Sequence, residues 1–598
     1  MTGEKRTFLG VTRSASGQAW LHRLSAAEDN AALAIAQTLG VSDIVARVLA
    51  GRGVQTEDAA RFLDPTIRDL LPDPSSLTDM GKAASRIADA VRAGERIAIF
   101  GDYDVDGASS SALMGRYLAH FGVPYEIYIP DRIFEGYGPN PDAMRDLAGR
   151  GARLIVTVDC GTNSAAAIEA ARQAGADVVV LDHHQLVADL PEGAHAVVNP
   201  NRDDDLSGQG HLCAAGVVFL TLVEVSRVLK TGGATRPAPD LLGMLDLVAM
   251  ATVCDVVPLK GVNRAFVVKG VQVARARRNA GLAALADVSR LGEPIAPFHF
   301  GFMLGPRINA GGRIGDAALG SRLLACDDPE EARTIVARLD QLNQERQAME
   351  QAMLEEAKAQ ALAETMQGDG PAVLVTESTN WHPGIVGLLA SRLKDFARRP
   401  AFAIAFDASG KGTGSGRSIP GIDLGRLVAG ALQEGLLVKG GGHAMAAGIT
   451  VERGKLGALR AYFEEKAAAQ VSAARASSAL KVDSGLSADG ATLDLLEELE
   501  KAGPFGAGHA QPVFAFPRHR IVNVSPVGAA GAHYRVTLES GTGRKTDAIA
   551  FRAAGTDLGD FLMKRRGDTV HLAGTLSANH WNGQVRVQIR LLDAADIQ

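Results

Sequence analysis

Cysteine is scarce in this 598-residue chain: Cys160, Cys213, Cys254 and Cys326 stand alone, without the paired spacing of a zinc ribbon or the density of a secreted disulfide scaffold. A reducing compartment fits, so a cytoplasmic protein is expected. No stretch approaches the roughly 18 uninterrupted apolar residues of a membrane span, and the opening MTGEKRTFLG lacks the apolar core of a signal peptide. An overall basic excess is missing too. The net charge of −6 excludes a chain coated in nucleic acid along its length, although from residue 515 onward 11 Lys and Arg face 7 Asp and Glu. Aromatics make up only 5 % of the residues, and in the C-terminal part Tyr534, Phe551 and Trp581 serve equally well as core or as stacking rings.

What is present describes a globular chain, 46 % hydrophobic and 22 % charged, too long for one core and therefore built of several domains. Its most informative segment is IAIFGDYDVDGAS at 97–109, an apolar strand followed at once by Asp102, Asp104 and Asp106. Like charges packed this closely raise one another's pKa unless a cation neutralises them. A calcium loop of the EF-hand kind is excluded, because Leu113 stands where the twelfth-position Glu is required.

Three further segments end in metal-capable side chains: LIVTVD at 154–159, DVVVLDHH at 177–184, and LDLVAMATVCDVVPL at 245–259, which carries Asp255. Open α/β sheets bind ligands beyond the carboxyl ends of their parallel strands, so acids placed after successive strands converge. The 23 positions from Asp159 to Asp182 leave room for a crossover helix at 164–174. Asp102, Asp104, Asp106, Asp159, His183, His184 and Asp255 thus form one candidate constellation. Its five carboxylates carry a formal −5, which two dications reduce to −1. Oxygen-rich ligands with some imidazole suit Mn2+ or Mg2+, and two such ions are suited to phosphoester hydrolysis.

In GDYDVDG, VDCG, Asp182-His183-His184 and CDVVPL the chain resembles the DHH phosphoesterase superfamily, and within it the single-stranded-DNA-specific exonucleases of bacteria. Family-like segments continue in order as PDRIFEGYG at 130–138, PRINAGGR at 306–313, NWHPGIVGLLASRL at 380–393, GSGRS at 414–418 and GGHAMAAG at 441–448. Two departures stand out: Cys254 where the family usually has Ala, and His509 where it commonly has Asn.

The expected architecture is a multidomain α/β protein, with a lead-in at 1–75 and a parallel-sheet DHH domain at 76–295. A connecting segment at 296–370 holds a long helix. By resemblance a DHHA1 α/β domain follows at 371–470, then a linker at 471–514 and a β-barrel of the OB-fold at 515–598, with Asn582-Gly583 as a hairpin turn. Near-heptad apolar positions from Ile335 to Met366 fit a core-packing helix, whose use here would be as a strut joining two lobes.

Site roles follow from the resemblance. Asp102, Asp104, Asp106, Asp159, His183 and Asp255 hold two ions, with Asp159 bridging and Asp102 a further ligand, while His184 faces the scissile phosphate. Arg307, Asn309 and Arg313 belong to the catalytic set, the arginines neutralising phosphate oxygens, with anchoring of an interdomain loop the alternative for Arg313. Arg132, Ser415 and Arg417 form a pocket for the 5′-terminal phosphate, beside Gly442 and His443, and the amides of GSGRS offer an anion nest. Trp381 stacks a base or fills core.

The resemblance implies a processive 5′ to 3′ exonuclease on single-stranded DNA, releasing 5′ mononucleotides in recombination and repair. It also implies a single-stranded-DNA-binding protein and a RecQ-type helicase as partners; a monomer is expected. Two rivals stand beside it. A hydrolase of pyrophosphate, cyclic dinucleotides or very short oligonucleotides would be smaller and lack the barrel, and a metal-free replication scaffold would show broken motifs, whereas all seven positions of the constellation are intact.

Overall fold

The computed structural model describes residues 6–597 apart from 132–134, 188, 366–369, 529–530 and 582–583. The apolar runs Ile97–Gly101 (β1), Leu154–Val158 (β3) and Asp177–Leu181 (β4) are strands buried on both faces, which is why they read as continuous rather than alternating. With Tyr125–Tyr128 (β2) and Ala196–Val198 (β5) they form a wholly parallel sheet in the order β2-β1-β3-β4-β5. Val105–Phe121 (α1) and Ala214–Thr231 (α2) cover one face, in a core that also takes in Leu245–Cys254 (α3); Pro141–Gly149 and Ala165–Gln173 cover the other. The chain leaves β1 toward β2 on one side and continues through β3 on the other, so the switch point lies between the carboxyl ends of β1 and β3.

Gly305–Ile314 (α4) follows, then Pro329–Thr365 (α5), 37 residues and about 55 Å at 1.5 Å per residue. α5 packs Ile335, Leu339 and Leu342 into the first core and Met353, Ala357 and Ala361 into the second lobe, as a strut should. Met349 is exposed instead of packed, and Met366 lies outside the described residues. In the second lobe Leu374–Ser378 (β6), Ala401–Phe406 (β7), Lys411–Arg417 (β8), Lys439–His443 (β9) and Ala446–Glu452 (β10) take the order β9-β10-β8-β7-β6, with only β6 and β7 parallel.

The C-terminal strands Phe514–Val527, His533–Glu539, Lys545–Ala550, Gln584–Ala595 and Thr569–Trp581 pair in that spatial order, and the last returns to the first, which closes a five-stranded barrel. The expected Asn582-Gly583 turn falls outside the described residues, as does the Trp581 side chain. Among the described residues no helix is long and apolar enough to cross a membrane.

Two segments are more structured than their local sequence suggested. The lead-in belongs to the barrel: Ile35, Val48 and Leu49 share a core with Phe514, Phe516 and Ile589, and Ala19–His22 pairs in parallel with Ala479–Val482. The expected linker at 471–514 carries that partner strand and the helix Leu493–Ala502. Buried Asp483 ties the parts together, taking Arg23 Nε at 2.9 Å, Arg52 and the amide of Val513 at 2.9 Å. Such contacts span hundreds of residues, so no local pattern announces them. Because Asp483→Ala leaves the buried Arg52 without its counter-charge, it should destabilise the N-terminal and barrel unit by about 3–5 kcal/mol. Calorimetry should show that unit melting earlier while the transition of the parallel-sheet domain stays in place; one unshifted transition would contradict this.

Candidate metal and phosphodiester site

The Asp residues of the first motif leave β1 at the switch point and run into α1. Asp104 caps that helix, accepting the amides of Asp106 at 2.9 Å and Gly107 at 3.1 Å. A side chain at Gly107 would collide with the backbone of Asp102, so the glycine lets the acidic loop fold back on itself. Asp106 is fully buried and accepts the amides of Ala214 at 2.7 Å and Ala215 at 2.8 Å, the first residues of α2, where the helix dipole favours an anion. Asp159 follows β3 with φ +60°, a conformation unusual for a residue with a side chain. Asp255 stands at the carboxyl end of α3, so it follows a helix where the other acids follow strands, and it meets the unfavourable end of the dipole.

These groups surround one imidazole. His183 Nε2 lies 3.3 Å from Asp159 Oδ1, 3.6 Å from Asp255 Oδ2 and 3.7 Å from Asp106 Oδ2. Three overlapping sets, Asp159/His183/His184, Asp106/His183/Asp255 and Asp102/Asp104/Asp159, each offer ligand atoms within 4.8 Å of one another. Burial and the neighbouring carboxylates push Asp106 upward and Asp159 well upward, and Asp255 up to about 9. Buried, mutually repelling oxygen donors with one imidazole fit hard divalent cations, so the donor set suits Mn2+ or Mg2+.

Asp182, the acid of the Asp-His-His motif, accepts His184 Nδ1 at 2.7 Å and the amides of His183 at 2.7 Å and Thr162 at 3.1 Å. Burial opposes its charge, but these hydrogen bonds prevail and hold its pKa below the usual carboxylate range. His184 is likewise opposed by burial, yet its bond to Asp182 lifts it to about 9. Asn199 donates to the His184 carbonyl at 2.8 Å and Asn201 to that of His183 at 2.6 Å, which holds the backbone of both histidines. Tyr137 places its hydroxyl 3.1 Å from His184 Nε2 and 3.3 Å from the Asp159 carbonyl. Sequence reading missed Tyr137, Asn199 and Asn201; the one local signal was the polar Asn-Pro-Asn following the apolar β5.

α4 lies along the acidic loop. Gly305 leaves space for Cys254 Sγ and Gly312 for Tyr103, and at either place a side chain would clash. Asn309, between them, has a buried amide oxygen with no donor among the described residues. Arg307 turns toward the strut, donating to Asp340 at 2.8 Å and to the Met303 carbonyl at 2.6 Å. Arg313 donates to the Gly384 carbonyl at 3.1 Å and so joins the lobes. Three residues on, Gly387 packs against Ser415 and Arg417, and Arg417 donates to Ser415 Oγ at 2.8 Å. The nest expected of GSGRS does not form, since β8 is an inner strand paired on both sides, and Gly414 and Gly416 make room for Ile404 and Phe402. A side chain at Gly442, φ +152°, would collide with the Ala446 carbonyl, and His443 is exposed beside it.

Trp381 does not stack a base. It is 4 % exposed, packed with Ile385 and Leu389, and donates from Nε1 to Glu356 at 2.8 Å, because an amphipathic ring in this lobe is more useful as core. Arg132 lies outside the described residues. On the barrel, Phe551 is 47 % exposed with the Arg590 guanidinium 4.8 Å from its ring centre.

Comparison with known proteins agrees with this layout. Models described as the DHH family N-terminal domain, the DHHA1 domain and the RecJ OB domain match residues 96–252, 370–469 and 482–593. The single-stranded-DNA-specific exonuclease RecJ of Salmonella typhimurium is 36 % identical over 565 residues, 92 % of this chain and 95 % of that protein. The crystal structure of RecJ in complex with Mn2+ from Thermus thermophilus has a TM-score of 0.77 at 30 % identity, covering 96 % of this chain and 78 % of that one; the corresponding Mg2+ complex gives 0.72 at 29 %, covering 97 % and 78 %.

The raised carboxyl pKa of Asp255 has a measurable sign. An unfolded Asp loses its proton near pH 3.9, whereas the folded, metal-free protein keeps this one until about 9, so across that window the native state binds the extra proton and stability falls as pH rises. Chelator-treated protein should show a melting temperature that declines from pH 5 to pH 8, and added Mn2+ should abolish the decline while releasing protons into weakly buffered solution. A flat profile in chelator would refute the repulsion argument.

Proposed function

This chain belongs to the RecJ family of DHH phosphoesterases, and from that premise we propose that it is a single-stranded-DNA-specific 5′ to 3′ exonuclease that hydrolyses phosphodiesters with two divalent ions, Mn2+ or Mg2+, and releases 5′ mononucleotides in recombination and repair. The observation that carries this reading is the gathering of Asp106, Asp159 and Asp255 around His183, beside Asp102 and Asp104. Asp102, Asp104, Asp106, Asp159, His183 and Asp255 would hold the ions, with Asp159 common to both. When bound, they supply Lewis-acid polarisation of the phosphodiester and water activated at neutral pH.

The chain's own groups do the rest. His184, held by Asp182, faces the phosphate in this reading, and Tyr137 limits how its ring can turn. Asn309, on α4 beside the acidic loop, keeps a buried amide oxygen without a donor among the described residues. Arg313 joins α4 to the second lobe, and Arg307, paired with Asp340, steadies α4 against the strut. Across the lobe junction Ser415 and Arg417, with Gly442 and His443, receive the 5′-terminal phosphate and so fix the distance from strand end to cleavage point, and Arg132 is assigned to the same phosphate from its motif alone. In this reading 76–295 is the catalytic domain, 296–370 the connector, 371–470 the cleft-closing domain and 515–598 the strand-holding barrel. A single-stranded-DNA-binding protein and a RecQ-type helicase are the proposed partners, and the cytoplasm the proposed location.

Digestion of a long strand labelled at either end, with Mn2+, tests the reading. The protein should remove mononucleotides in order from the 5′ end and leave matched duplex intact. Asp159→Ala should lower the rate at least about a thousandfold. Rapid turnover of dinucleotides with no strand degradation would place the protein among small-substrate hydrolases, and binding without turnover of either would make it a scaffold.

A further inference from the structure

In a chain with few aromatic residues, two phenylalanines stand out in water together. Phe298 is 52 % and Phe302 72 % exposed, and their rings stack at 4.8 Å between centres and 21° between planes. Water-exposed stacked rings on a monomer call for an explanation. The backbone that presents them is irregular: residues Phe300–Leu304 form a π-helical turn, a local widening often found at functional sites. Phe300 and Leu304 face the core, fully buried, which turns Phe298 and Phe302 outward.

This turn is anchored beside the metal centre. The Cys254 thiol donates to the Phe300 carbonyl at 3.3 Å, Gly301 rests against Val253, and Gly305 rests against Cys254 and Val105. Cys254 precedes Asp255, and Val105 lies between Asp104 and Asp106. On the other side of Asp255, Val256 is held at φ +60° with its side chain 68 % exposed. Pro258 and Leu259 then meet Gly506 and Gly508 of the loop leading into the barrel, with the Leu259 amide donating to the Ala507 carbonyl at 2.9 Å. An apolar rim therefore runs beside Asp255 toward the barrel.

We infer that the Phe298–Phe302 pair is a stacking platform for an unpaired nucleobase of the strand being cut, with Val256 as its apolar edge. The inference rests on the exonuclease reading. A phosphodiester held at the Asp-His centre must carry its bases outward past the rim, and a base in a duplex has both faces covered and cannot lie on a protein ring. An open aromatic face accepts any base and adds grip without sequence choice. The platform would thus contribute to the preference for single strands as well as to affinity.

The test uses full-length protein in an Asp159→Ala background, so that strands stay intact, and a series of oligonucleotides each with one abasic position counted from the 5′ end. One register should weaken binding about tenfold. Adding Phe302→Ala should weaken the intact strand by about the same factor and remove any further penalty from that abasic position, whereas Phe302→Trp should restore the register. In otherwise wild-type protein, Phe302→Ala should raise KM about tenfold on long strands and leave dinucleotide turnover within twofold. Equal abasic penalties with and without Phe302, or unchanged strand binding, would overturn the inference and leave the rings as a protein-docking surface. Failure of wild-type protein to degrade strands would instead overturn the exonuclease reading.

Discussion

Buried carboxylates that repel one another organise this molecule. Asp102, Asp106 and Asp159 are each no more than 4 % exposed, and the interior that shields them also deepens their mutual repulsion. The fold relieves part of it with its own positive groups. The amino end of α2 gives two amides to Asp106, α1 gives two to Asp104, and His183 stands among Asp106, Asp159 and Asp255. Asp159 and Asp255 receive no comparable backbone donors among the described hydrogen bonds, and burial with the neighbouring carboxylates pushes Asp159 well up and Asp255 up to about 9. The unrelieved charge is therefore concentrated on the side of the cluster where a cation would gain most.

The same constraint explains which residues around the site are fixed. Asp182 is charged and satisfied within the protein, so it orients His184 and has little left for an ion. Asn199 and Asn201 hold the backbone of both histidines, and Gly107, Gly305 and Gly312 allow α1 and α4 to approach the acidic loop at distances no side chain permits. α4 then passes this placement to the second lobe through Arg313 and Gly384, so Ser415 and Arg417, proposed to receive the 5′-terminal phosphate, are positioned relative to the acids by a short run of direct contacts.

Much of this was legible in sequence, because acids at strand ends are a local signal: the continuous apolar runs of β1, β3 and β4 placed Asp102, Asp159 and the two histidines at one sheet edge. The long helix and the barrel strands were legible for the same reason. Long-range relations were not. Nothing near residue 35 shows that Ile35 packs with Phe514, and GSGRS reads as a turn or an anion nest until Phe402 and Ile404 are seen to fill the space its glycines leave. Trp381 is the instructive case: a lone aromatic in a motif-rich segment suggests a ligand, but its indole N–H finds Glu356 and its ring finds a core.

The placement of Asp255 shows how stability is exchanged for affinity. A carboxylate at the carboxyl end of a helix, beside other carboxylates, is unfavourable in the metal-free protein whichever way it is relieved: ionised it is repelled, and protonated it holds a proton that the unfolded chain would release. A neutral residue there would make α3 end more comfortably and would stabilise the empty fold. The arrangement persists only if the native state is normally completed by a cation that interacts with the ionised form, so that the energy stored as repulsion reappears as binding. On this argument the metal is a structural partner of the Asp-His centre as well as its chemical one, and the geometry of α3, α4 and the acidic loop is tuned to the loaded protein.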